Sequence, residues 1–160
     1  MDERSQTDDS HSLRGPLDRP ALLAIRDVFD THEPLATAEL DDYLDPRTLR
    51  VTFNEGLCGA DEARIDVQWT TRQDYKFHYT DSRSINLRWG RHPHNDEYVN
   101  VRGLDHYHPP PDASSDPSEV EDSCISHSQE TLVARAVLKL WRTAYQADSL
   151  APLHAGSNPP

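Results

Sequence analysis

The sequence predicts an α+β domain: an antiparallel meander of four strands, with Val99 to Arg102 as a candidate fifth edge strand, packed against an N-terminal and a C-terminal helix. Three observations lead there. Apolar residues recur near the helical period toward both ends, they alternate with polar residues in four central runs, and turn residues separate those runs.

The first helix runs from Pro20 to about Thr31, with Leu22, Leu23, Ile25, Val28 and Phe29 on its stripe and a proline suited to a helix start. A weaker helical segment, Thr37 to Leu44, is expected to stop before Pro46. The period then switches to two. Leu49, Val51 and Phe53 alternate with polar neighbours, as do Ile65, Val67 and Trp69, then Tyr75, Phe77 and Tyr79, then Ile85, Leu87 and Trp89. Directly opposite residues of an antiparallel pair point the same way, so Phe77 and Tyr79 share a face with Leu87 only if the connecting loop is odd. Ser82 to Ser84 or Thr80 to Ser84 satisfies this. The other face would then hold Asp66, Gln68, Lys76, His78, Asn86 and Arg88 together. Residues 90–123 read as irregular, rich in His and Pro and then acidic from Asp112 to Asp122. The last helix follows Ser126 and Gln129, spaced as in a capping box, and carries Leu132, Val133, Ala136, Val137, Leu140, Trp141 and Ala144 on a broad stripe through Tyr145.

Residues 1–19 and 148–160 hold too little apolar surface to offset their ordering entropy and are expected to be disordered tails, leaving one folded domain over 20–147. The net charge is −12, Asp outnumbers Glu about two to one, and Lys76 and Lys139 are the only lysines. Such a composition suits molar salt, where the Debye length falls to about 3 Å and self-repulsion is screened. A local basic patch then decides nucleic-acid binding, and net charge does not exclude RNA. No apolar run reaches the ~18 residues of a membrane span, and Cys58 and Cys124 form no disulfide framework, so a cytoplasmic protein without a membrane partner is expected. With no Gly-rich phosphate loop and no Gly-x-Ser-x-Gly, nucleotide cofactors and serine-hydrolase chemistry are not expected.

Five histidines fall between residues 78 and 108. Neutral imidazoles ligate transition metals, which makes His92, His94, His106 and His108 one candidate set, although no acidic or Cys partner completes a familiar framework. Acid–base cleavage of RNA without metal is a second reading. Histidine ordinarily titrates near the working pH, so His78, His106 or His108 would supply the acid and the base, while Arg88 and Lys76 would stabilise the phosphate. A third is structural: loop histidines that cap turns and stack on Tyr107 or Trp89. Arg135, Lys139 and Arg142 lie on one flank of the last helix and form a candidate contact for RNA or an acidic protein, or else a solvated face.

From Tyr75 to about residue 145 the order of features resembles the TumE family, the toxin half of toxin–antitoxin pairs. The resemblance rests on Tyr75-Lys76-Phe77-His78-Tyr79, Leu87-Arg88-Trp89, Arg91-His92-Pro93-His94, His106-Tyr107-His108-Pro109 and the helix after the acidic linker. It implies a toxin-like α+β fold that interferes with RNA or translation, with the ribosome or RNA as target and a small antitoxin as partner. The candidate positions it marks are His78, Arg88, His92, His94, His106 and His108, and Arg91 joins Lys76 and the helix stripe as candidate RNA contacts. The rival class is a non-catalytic binding module, and the third a metal-binding regulator.

Overall fold

Asp18 starts the first helix. Its carboxylate accepts the Ala21 N–H at 3.1 Å, with Pro20 in the first turn, and helix α1 runs Arg19–His32. The computed structural model describes residues 13–94 and 98–154. After α1 the chain forms β1 (Ala36–Leu40), β2 (Leu49–Phe53), β3 (Ala63–Trp69), β4 (Tyr75–Asp81), β5 (Asn86–Arg91), β6 (Asp105–His108) and β7 (Glu121–Asp122). Helix α2 (Glu130–Ala147) and a short 3-10 turn, Ala151–His154, follow. The strands make one seven-stranded sheet whose spatial order is the chain order, and every neighbouring pair is antiparallel. The architecture is the expected α+β meander with a helix at either end, carrying more strands than the pattern predicts.

The odd-numbered side chains of β2 to β6 share one face and most of them are buried, among them Val51, Phe53, Val67, Trp69, Phe77, Leu87, Trp89 and Tyr107. Ile25 and Phe29 of α1 and Val137 and Trp141 of α2 belong to the same core. Trp141 stacks on Phe53 with centroids 4.4 Å apart, and Trp69 stacks on Tyr75 at 4.9 Å. Each fully buried side chain of this size contributes roughly 1.5–3 kcal/mol. The helices thus cover one face of the sheet.

Register follows the odd-loop expectation. Phe77 faces Trp89, Tyr79 faces Leu87, and Asp81 N–H donates to Ile85 O, which leaves the three residues Ser82, Arg83 and Ser84 as the loop. Asp81 fixes this hairpin: Oδ1 accepts the N–H groups of Arg83 and Ile85, and Oδ2 accepts the Tyr79 hydroxyl at 2.7 Å.

Several local expectations are corrected. Thr37 to Leu44 is not helical; Ala36–Leu40 is the strand β1, where Ala38 and Leu40 lie beside Val51 and Leu49. Pairing with the edge of β2 that β3 leaves open outweighs the helix propensity of Ala, Glu and Leu. The aspartates beyond it close a loop instead, Asp41 and Asp42 accepting backbone N–H groups from Leu44, Asp45, Arg47 and Thr48. On the outer side of β1, the Ala38 N–H donates to the Asp30 carboxylate of α1 at 3.0 Å. Val99 to Arg102 forms no strand; part of the stretch read as irregular supplies β6 and β7 instead. Ser126 is not a cap, because α2 begins four residues later, after Gln129. Residues 148–154 are ordered: Leu153 is buried, its carbonyl accepts the Trp89 indole N–H, and His154 stacks on Tyr107. Residues 13–19 are ordered too, with the Arg14 guanidinium forked onto the buried Asp74 carboxylate. The rest of the expected tails, 1–12 and 155–160, lies outside the described residues. No helix among the described residues is long and apolar enough to cross a membrane.

Arg142 leaves the proposed helix stripe. Its Nε donates to Glu33 Oε1 at 3.0 Å and its Nη2 to Oε2, tying α2 to the end of α1, and the Glu33 side chain is only 2% exposed. Removing the guanidinium leaves a buried carboxylate unpaired. Arg142→Ala is therefore expected to lower unfolding free energy by about 2 kcal/mol or more. Arg135→Ala and Lys139→Ala, at exposed positions, should stay within about 0.5 kcal/mol. Denaturant titration of the three variants tests this.

Candidate functional site

The even-numbered side chains of the central strands share the face opposite the helices. One rung crosses five strands: Arg50 is opposite Asp66, Asp66 opposite His78, His78 opposite Arg88, and Arg88 opposite His108. The next rung runs Gln68, Lys76, Gly90, His106 and Asp122. His78, Arg88 and Lys76 are thus brought together, as the alternation requires, and the unexpected strand β6 adds His106 and His108 to the same face. Facing side chains in such pairs have Cβ atoms about 5 Å apart.

The five histidines divide by burial. His92, His94, His106 and His108 are all buried, and His78 alone of the five is partly exposed. His78 Nε2 lies 3.0 Å from Asn86 Oδ1, which also accepts the Thr80 hydroxyl. A carbonyl-type oxygen there makes Nε2 the protonated nitrogen and leaves Nδ1 as the acceptor. Burial, reinforced by the Arg88 charge, holds the His78 pKa below the usual histidine value. The ring is therefore neutral at neutral pH.

His108 plays a different part. Its Nδ1–H donates to Ser114 O at 2.9 Å, so its Nε2 accepts from Arg88 Nη2 at 3.2 Å, and Arg88 also reaches Ser115 Oγ at 3.5 Å. The buried imidazole orients the guanidinium. His106 Nδ1–H donates to Leu104 O at 2.8 Å, while Nε2 has no hydrogen-bond partner among the described residues. That nitrogen sits over Gly90, where an added Cβ would come within 3.2 Å of it and 3.4 Å of Tyr75 O. Glycine is needed there for close approach. Burial first, then neighbouring positive groups, pushes His106 down to about 2 and His108 to about 3. Neither is charged at neutral pH.

The four buried imidazoles pack as rings rather than converging on a point. His92 and His106 meet edge to face at 4.5 Å, His106 and His108 at 5.1 Å, and Tyr98 lies 5.4 Å from His106. His92 and His94 also bond the carbonyls of Pro93 and Gly103. Among the described residues, no three His, Cys, Asp or Glu side chains are grouped to hold a metal ion, so the candidate set His92, His94, His106 and His108 lacks ligand geometry.

Other candidates lie elsewhere. Arg91 is on the helix side of β5, paired with Asp105 at 3.2 Å. Arg135 and Lys139 are exposed on α2, on the helix-covered side of the sheet, and Arg142 binds Glu33. Sequence reading missed Arg50 and Arg64, which flank Asp66 on the polar face. The signal was available, because Arg64 precedes Asp66 by two residues on β3, and carrying the same parity one strand further, to β2, places Arg50 there. Ser115 carried no sequence signal beyond an acidic loop.

The chain matches the family model described as Toxin TumE over residues 25–142, most of its length and well beyond the stretch that carried the resemblance. No curated protein and no solved structure matches it.

Titration distinguishes the histidines. His78 is expected to titrate below pH 6.5, with a midpoint that rises in Arg88→Ala, and His106 and His108 to stay neutral down to about pH 4, all read from imidazole NMR signals. Depressed folded pKa values stabilise the protein above the unfolded value near 6.5, and that stability is lost as pH falls toward 3 and then 2. Each imidazole contributes a slope of about 1.4 kcal/mol per pH unit inside that window. Denaturation curves from pH 7 to 4 should therefore lose stability less steeply in His106→Gln than in the wild type.

Proposed function

The chain belongs to the TumE toxin family, and from that premise we propose that it acts on RNA through the polar face of its sheet, as a metal-independent ribonuclease working in molar salt. The supporting observation is the placement of one partly exposed, neutral imidazole, His78, directly opposite Arg88 on the adjacent strand. Neutral His78 Nδ1 takes the proton of the 2′-hydroxyl, and the 2′-oxygen attacks the adjacent phosphorus. The bond to the 5′-oxygen breaks, that oxygen takes a proton from water, and a 2′,3′-cyclic phosphate remains. Arg88, held by His108, and Lys76 on the neighbouring rung stabilise the charge on the phosphoryl oxygens. His106 and His108 then serve as buried supports of the site rather than as proton carriers. A small antitoxin protein is the expected partner.

Induction in a salt-adapted host, with growth and RNA integrity followed, tests this reading. Wild type should arrest growth and leave RNA ends carrying 2′,3′-cyclic phosphate. His78→Ala and Arg88→Ala should each lower cleavage at least a hundredfold. Wild-type cleavage should fall off only below pH 6.5. Intact RNA with growth arrest would replace the nuclease with a non-catalytic RNA- or protein-binding toxin, and unaffected growth with intact RNA would remove the toxin activity altogether.

A further inference from the structure

Between β2 and β3 one carboxylate holds two guanidinium groups. Asp66 Oδ1 accepts from Arg50 Nε at 3.0 Å, and Arg64 Nε lies 3.2 Å from Oδ2. Arg50 donates to Asp66 through its inner N–H and Arg64 forms an ion pair with the other carboxylate oxygen, and among the described residues neither has a further partner for its terminal amines. Both side chains are 49% exposed, whereas Asp66 is 23% exposed. The two arginines line a depression of about 390 Å³ shared with Thr52, Thr80 and Ser82. Ser82 Oγ accepts the Asp61 N–H at 2.9 Å, which leaves its own hydroxyl proton to donate. Of the acidic groups at the rim, Asp81 is already satisfied by Tyr79, Arg83 and Ile85, and Glu62 is exposed to solvent.

We propose that Arg50 and Arg64, oriented by Asp66, form a phosphodiester clamp for single-stranded RNA beside the His78–Arg88 site. The clamp rests on the RNA reading above and specifies which form of RNA that face takes and where its backbone lies. A free arginine loses rotamer freedom on being fixed by a ligand, and Asp66 imposes much of that ordering before any ligand arrives. The planar fork that remains matches two phosphate oxygens, a fit that an ammonium lacks. Asp66 stands directly across from His78, and Arg50 lies two strands from it, about 10 Å away. A strand held by the clamp and reaching His78 therefore runs across the β-strands. In molar salt such short-range, geometric contacts outlast long-range attraction.

The test uses the full chain and a fluorescent 2′-O-methyl uridine dodecamer, which lacks the hydroxyl needed for cleavage, with affinity read by anisotropy over a series of salt concentrations. Arg50→Ala and Arg64→Ala are each expected to weaken binding about tenfold and to lower the slope of log affinity against log salt by about 0.7. Arg50→Lys and Arg64→Lys should restore the slope but not the affinity, and Arg135→Ala, on the far side of the sheet, should change neither. Thermal melts confirm that each variant is folded. Unchanged binding in both alanine variants overturns the clamp while the RNA reading stands. Wild type that fails to bind the oligonucleotide overturns both. Competition by poly-aspartate at the concentration at which RNA competes also overturns the clamp, by pointing to an acidic protein partner.

Discussion

Asp81 sets the geometry on which the polar face depends. It accepts two backbone N–H groups of the turn and the hydroxyl of Tyr79, and so closes β4 onto β5 through three residues. Tyr79 in turn accepts the Leu57 N–H at 2.9 Å, linking the hairpin to the loop before β3. A connection one residue longer or shorter would send Arg88 to the helix side and Trp89 into solvent. With the odd connection, a single alternation runs through five strands, burying aromatics beneath two helices and lining up Arg50, Asp66, His78, Arg88 and His108 on the other side.

Burial then assigns different chemistry to identical side chains. Desolvation penalises the charged form of imidazole, and the effect deepens from the partly exposed His78 to the fully covered His106 and His108. His106 and His108 remain neutral, donate to carbonyls and pack edge to face. One of them accepts from Arg88, which converts a flexible cation into a fixed one. In a chain of net charge −12, a few oriented cations on one face count for more than the overall balance.

The central sheet was legible because period-two alternation in Leu49–Phe53, Ile65–Trp69, Tyr75–Tyr79 and Ile85–Trp89 has one simple solution, and loop parity fixes its faces. The strand at His106-Tyr107-His108 was not read. Its inward residue is one aromatic between two imidazoles, and prolines follow immediately, so neither composition nor neighbours announced a strand. Ala36–Leu40 was misread because its residues favour helix locally, and only the neighbouring β2 decides otherwise. The Arg142–Glu33 pair joins residues 109 positions apart, a distance at which helix spacing carries no information. The histidine cluster was visible as a cluster, but which members face solvent depends on how residues 92–94 and 98–108 fold back, and no local pattern encodes that.

The contact between the Asp30 carboxylate and the outward N–H of Ala38 has a bearing on assembly. A sheet margin is ordinarily a template on which a foreign strand can crystallise its own hydrogen bonds. Here a negatively charged group from the adjoining helix already occupies the central donor of that margin, and the Glu33 carbonyl occupies the donor of Ala36. An incoming strand would have to evict both. Growth of the sheet past β1 into strand-swapped or fibrous forms is therefore disfavoured.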